Sequence, residues 1–120
     1  DAYFELRRSG LKMGFITGED TGFCDYVSRR FSPDFLIRGC KDKLAAFDTL
    51  VKEHGLKKET TCYAGDSKKD IELLQHVTLS YAPADAPPEV RNSAKKTLLA
   101  SRGKGVIQEL ANDILEQIRK

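Results

Sequence analysis

A chain of 120 residues suits one small domain, and an apolar content of 40% lets it bury a core of useful size. Twenty basic residues against eighteen acidic ones leave a net charge of +2, which gives no electrostatic reason to expect nucleic acid or a membrane surface as partner. Cys24, Cys40 and Cys62 are odd in number and lack a Cys-x-x-Cys spacing, which argues against a disulfide framework or a zinc site and for reduced thiols in the cytoplasm. No run is apolar and long enough to span a bilayer.

The chain alternates between two periodicities. Residues 2–9 read as a short helix that Gly10 ends, and "LKMGFIT" (11–17) as a buried strand. Residues 21–31 read as an amphipathic helix and 34–39 as a short strand. The strongest helix signal covers 41–55, where Leu44, Phe47, Leu50 and Val51 recur at helical spacing and Gly55 ends the pattern. Residues 60–65 read as a strand, 68–77 as a helix and 78–83 as a strand halted by proline. "PPEVRNSA" (87–94) is a short helix with its prolines at the start, where a missing N–H does no harm. A last strand over 96–100 and a long amphipathic helix over 105–120 close the chain. Such alternation predicts a single α/β domain over residues 1–120, built on a parallel sheet with helices on both faces. Ligands of these sheets bind at the carboxyl ends of the strands.

Those strand ends hold the informative residues. Thr17 and Gly18 offer a hydroxyl and free backbone amides suited to a phosphate oxygen, although Thr17 could equally cap the helix that follows. Lys41 and Lys43 stand at the start of a helix, the end where the dipole disfavours a cation. A lysine gains a reason to be there if it neutralises a phosphate or carboxylates, and otherwise faces solvent. In "YAGDSKKD" (63–70), Gly65 lets the chain turn, Asp66 follows the strand directly, and Asp70 lies one helical turn on. Two carboxylates so placed repel each other unless a cation or a lysine intervenes. Hard oxygen ligands of this kind suit Mg²⁺, while an acidic first turn complementing the helix dipole is the plainer alternative. His54 and His76 have no obvious partner and read as structural or exposed.

The series Thr17, Lys43, Asp66, Asp70 resembles motifs two to four of the haloacid dehalogenase superfamily. "LRRSGLKMGFITGED", "DFLIRGCKDKLAAFDTLVKEHGL", "YAGDSKKDIELLQHVTLSYAPADA" and "RGKGVIQELANDIL" are similar in sequence and spacing to its 3-deoxy-D-manno-octulosonate 8-phosphate phosphatase family. The resemblance implies a Rossmann-like core without a large cap, a Mg²⁺ cofactor, a phosphorylated eight- or nine-carbon keto-sugar acid as substrate, and a homotetramer. It implies that Thr17 and the Gly18 amide hold phosphate oxygens and that Lys43 bridges phosphate and nucleophile. It further implies that Asp66 ligates Mg²⁺ and that Asp70 orients Lys43 or the waters of the metal. Lys104 falls where the family grips the sugar carboxylate.

The sequence also departs from that pattern. The family's Asp-x-Asp motif, which supplies the nucleophile and the acid/base, has no counterpart in these residues, and the strand that carries it is expected upstream of Asp1. Ser67 stands where the family has a second Asp. Arg102-Gly103-Lys104-Gly105 replaces Gly-Gly-Arg-Gly, and a lysine lacks the bidentate fork of arginine. A reading of another class needs no nucleophile: an inactive oligomerisation domain associated with a sugar-acid cytidylyltransferase.

Overall fold

The computed structural model describes residues 2–8, 10, 14–16, 29–30, 33–57, 61–101 and 105–119. Helix α1 is Ala2–Arg8, followed by strands β1 (Gly14–Ile16) and β2 (Phe35–Ile37). Helix α2 (Lys43–His54) leads to β3 (Cys62–Ala64), a 3₁₀ turn (Lys68–Asp70) and α3 (Ile71–His76). Strand β4 (Leu79–Ala82), α4 (Pro88–Ser93), β5 (Lys96–Thr97) and α5 (Val106–Arg119) complete the order. The helix expected over 21–31 lies mostly outside the described residues.

Every strand pairing is parallel, as the alternation predicts. Strands β1 and β2 pair from Gly14 with Phe35 to Ile16 with Ile37. Strand β4 pairs on one side with β3 (Tyr63 opposite Ser80) and on the other with β5 (Ala82 opposite Thr97). Among the described residues no ladder joins β1 to β3.

Successive strand residues point to opposite faces, and the core divides accordingly. On one face Tyr81 is buried with Leu6 of α1 and Ala111, Ile114 and Leu115 of α5, against Cys62 and Ala64 of β3. On the other, Ala82 is buried with Leu74 of α3 and Val90 of α4, against Tyr63. Phe47 of α2 joins Leu73 and Val77 in a third cluster that also takes in Ile16 and Tyr63. Helices thus cover both faces of the β3–β4–β5 ladder. Polar anchors reinforce the arrangement. Asp113 of α5 accepts hydrogen bonds from the Tyr81 hydroxyl and from Lys96 Nζ. Arg7 pairs with Asp34 at 2.9 Å, tying α1 to the start of β2.

Local chemistry sets the boundaries. The Asp42 carboxylate accepts the Ala45 amide at 3.1 Å and starts α2. Gly55, at φ 64°, ends it in the left-handed region with its amide bonded to the Val51 carbonyl. Two expected elements differ from what forms. The helix over 68–77 opens as a 3₁₀ turn, because the Asp70 amide bonds to the Ser67 carbonyl at 2.9 Å, three residues back. The strand over 96–100 stops at Thr97. The Leu98 amide still reaches the Ala82 carbonyl, but the amides of Leu99 and Ala100 go to the Glu109 carboxylate of α5 instead of to a neighbouring strand.

Leu74 is fully buried between β4 and α4. Leu74→Ala is expected to lower stability by about 2–5 kcal/mol through lost burial and the cavity left behind. A urea midpoint that falls with an unchanged m-value would register it.

Candidate active site

Three of the elements converge beyond the carboxyl end of β3. The strand delivers Tyr63 from its middle, and Gly65 and Asp66 follow its last residue. The 3₁₀ turn brings Asp70 back over the strand end, and the first residue of α2 brings Lys43. Gly65 permits this closeness. A Cβ there would lie 2.5 Å from Asp70 Cβ and 2.6 Å from its Cγ, so no larger residue fits beneath the Asp70 side chain.

Asp70 is the centre of the arrangement. It is only 1% exposed, yet both of its carboxylate oxygens are satisfied. Oδ1 accepts from Lys43 Nζ at 2.8 Å and from the Tyr63 hydroxyl at 2.7 Å. Oδ2 accepts from the amides of Asp66 (3.0 Å) and Ser67 (3.1 Å) and from the Ser67 hydroxyl (3.2 Å). The reach back to the Ser67 amide is the capping-box contact of the turn. Burial by itself raises the Asp70 pKa. The hydrogen bonds from Lys43, Tyr63 and Ser67 and the Lys43 charge outweigh it and hold the group below its ordinary value.

The two aspartates of the Gly-Asp-x-x-x-Asp stretch are therefore not equivalent. Asp70 is consumed by protein donors. The Asp66 side chain is half-buried and has no hydrogen-bond or ion-pair partner among the described residues, leaving a hard anionic oxygen ligand at the sheet edge. Among the described residues no group of three or more acidic, histidine or cysteine side chains could by itself hold a metal ion. A single free carboxylate fits Mg²⁺, which binds through one or two carboxylates and keeps several waters.

Lys43 is 13% exposed and uses one of its three donors on Asp70. It lines an open cleft of about 290 Å³, with Lys41 and Lys69 on the rim beside Asp42 and Glu72. The structure thus brings Lys43, Asp66 and Asp70 together. Thr17, Gly18 and Lys104 lie outside the described residues. Glu109 is placed near Lys104 in the chain: its carboxylate takes the Leu99 and Ala100 amides at 2.9 and 2.8 Å, fixing the backbone that leads into 102–104.

Several participants were not legible beforehand. Tyr63 gave no signal beyond an aromatic residue in a strand. Ser67, standing where the family pattern has a second Asp, donates its hydroxyl to Asp70, where a second carboxylate would be repelled. His76 does have a partner, Asp48 Oδ1 at 3.6 Å, and stands edge-on to Phe47, away from the site. Cys40 and Cys62 are free thiols, and burial pushes Cys62 up to about 11, which makes it a poor nucleophile at neutral pH.

Two predictions follow from Asp70. Gly65→Ala should force the Asp70 side chain away and cost about 1–3 kcal/mol, read as a lower thermal midpoint. The second concerns pH. An aspartate titrates at about 3.9 when unfolded, and Asp70 titrates lower when folded. The unfolded state then binds more protons over that window. The contribution of Asp70 is present above about pH 4 and is lost as pH falls through its depressed folded pKa. With chelator present, Asp70→Asn should flatten the acid limb of the stability curve, measured by urea midpoints between about pH 6 and 3.

Comparison with known proteins places this geometry. Residues 27–110 match the family model for haloacid dehalogenase-like hydrolases. A 3-deoxy-D-manno-octulosonate 8-phosphate phosphatase of Haemophilus influenzae is 34% identical over 92% of this chain and 62% of its own length. The chain therefore spans about three-fifths of that relative. A probable YrbI-family phosphatase from Pseudomonas syringae superposes with a TM-score of 0.91 at 30% identity, over 96% of this chain and 65% of that one. The cobalt-bound form of the Haemophilus influenzae deoxy-D-mannose-octulosonate 8-phosphate phosphatase gives 0.89 at 26% identity, over 96% and 67%. With a matched segment that covers most of the chain and the same parallel core, this chain belongs to the haloacid dehalogenase-like hydrolases.

Proposed function

We propose that this chain forms the charge-binding part of a Mg²⁺-dependent phosphatase acting on a phosphorylated eight- or nine-carbon keto-sugar acid, of the 3-deoxy-D-manno-octulosonate 8-phosphate type. One observation carries the reading. A buried, fully hydrogen-bonded Asp70 holds both the Lys43 ammonium and the Asp66 amide at the carboxyl end of β3, and the Asp66 carboxylate has no partner among the described residues. The names of the Haemophilus influenzae relative and of the cobalt-bound structure support the substrate class and the use of a divalent ion.

In this reading Asp66 holds the Mg²⁺, whose bound form supplies Lewis-acid stabilisation of phosphoryl oxygens. Lys43 presents its two remaining N–H donors to the phosphate and to the attacking carboxylate, and its positive charge offsets charge that builds up on the transferring group. Asp70 keeps that ammonium in place. Thr17 and the Gly18 amide bind further phosphate oxygens, and Lys104 meets the sugar carboxylate. The nucleophilic carboxylate comes from the Asp-x-Asp motif of a longer protein. It attacks phosphorus, the bond to the sugar oxygen breaks, and the second aspartate of that motif protonates the departing oxygen. A cytoplasmic protein and, as the family resemblance implies, a homotetramer belong to the same reading.

The test is phosphate release from 3-deoxy-D-manno-octulosonate 8-phosphate by the full-length protein with Mg²⁺. Chelation should abolish release and added Mg²⁺ restore it. Asp66→Asn and Lys43→Ala should each lower kcat by about 10²-fold or more, the loss typical of removing one stabiliser of transition-state charge. Release that persists in chelator and in Asp66→Asn would remove Asp66 as a metal ligand and the reading with it.

A further inference from the structure

We propose that Tyr63 is a positioning residue for the Lys43 ammonium, acting through Asp70. The inference rests on the phosphatase reading and adds to it a residue that touches neither metal nor phosphate. Its basis is that the Tyr63 hydroxyl and Lys43 Nζ bond to the same oxygen, Asp70 Oδ1, at 2.7 and 2.8 Å.

Of these two donors only one is rigid. The Tyr63 ring is wedged where two apolar clusters meet, one built on Leu74, Ala82 and Val90 and the other on Phe47, Leu73 and Val77. It has two side-chain torsions, and both are constrained by that packing. Lys43 reaches the site on a flexible four-carbon stem. The backbone amides of Asp66 and Ser67 fix Oδ2. A carboxylate held at Oδ2 alone can still rotate about that anchor. The Tyr63 hydroxyl supplies the second fixed point and thereby determines where Oδ1, and the ammonium on it, must sit.

The chemistry of the donor matters as well. A cationic second donor would bring extra charge into the pair. A tyrosine hydroxyl steadies Asp70 while adding none, so Lys43 stays the cation paired with Asp70. Burial first, and then the neighbouring Asp70 charge and hydrogen bond, push the Tyr63 pKa far up, so the hydroxyl remains a donor throughout the range in which the protein folds. Filling space alone would not call for the oxygen. A phenylalanine would occupy both clusters equally well, and the buried hydroxyl is tolerable only because Asp70 receives it.

Tyr63→Phe in the full-length protein, with 3-deoxy-D-manno-octulosonate 8-phosphate and p-nitrophenyl phosphate as substrates, separates positioning from packing. The expected result is a kcat lower by about ten-fold with KM within about two-fold, the signature of an interaction that matters in the transition state. In an Asp70→Asn background the same change should cost nothing further, because the path it acts through is gone. An independent readout is the mobility of the Lys43 side chain, followed by NMR relaxation at its Cε. It should be restrained in the parent and released in Tyr63→Phe. An unchanged kcat, an equal loss in the Asp70→Asn background, or a Lys43 as restrained as in the parent would each overturn the inference. If the parent releases no phosphate from either substrate, the phosphatase reading falls, and Lys43 mobility alone still decides the role of Tyr63.

Discussion

A buried carboxylate with five donors organises this structure. Taking an aspartate out of water is costly unless its oxygens are met by hydrogen bonds or an opposite charge, and Asp70 is met by both. Each donor comes from an element whose position is thereby fixed. Lys43 ties in the start of α2, Tyr63 the middle of β3, and Asp66 and Ser67 the turn between strand and helix. Remove Asp70 and three segments lose their common reference. The local departures from regular structure also serve this contact: the tight 3₁₀ turn swings Asp70 back over the strand, and the missing side chain at Gly65 leaves room for it.

The same contact resolves the puzzle of a lysine at a helix N-terminus. The α2 dipole disfavours a cation on its first residue, and the Asp42 cap already satisfies the Ala45 amide without it. Lys43 is held there by a buried anion across the fold. Lys43 lines the cleft together with Lys41 and Lys69.

Much of the fold was legible because it depends on periodicity. The α2 pattern, the proline-led start of α4 and the parallel strands follow from spacing that any residue of the right polarity would satisfy. Phe47 and Leu50 are buried as that spacing requires. What escaped depends on particular side-chain partners rather than on periodicity. The 96–100 segment has strand composition, yet Glu109, on the next helix, captures the Leu99 and Ala100 amides and ends the ladder early. Lys43, Asp66 and Asp70 could be singled out because strand ends in a parallel sheet share one edge. The Ser67 contact has the capping-box spacing Ser-x-x-Asp to announce it, but that the Tyr63 hydroxyl would close over Asp70 has neither periodicity nor motif.

The pair Asp66 and Asp70 shows how environment divides labour between identical side chains. Four residues apart, both follow β3, and a sequence can say only that they should repel. The fold removes the repulsion by direction. Asp66 donates its backbone amide to Asp70 while its own carboxylate has no partner among the described residues. Asp70 turns inward, is neutralised by Lys43, and ceases to be a ligand. Among the described residues the Asp66 carboxylate has no partner, whereas the Lys43 ammonium is balanced by Asp70. The Lys43 charge is thereby compensated within the fold by a buried anion rather than by solvent alone.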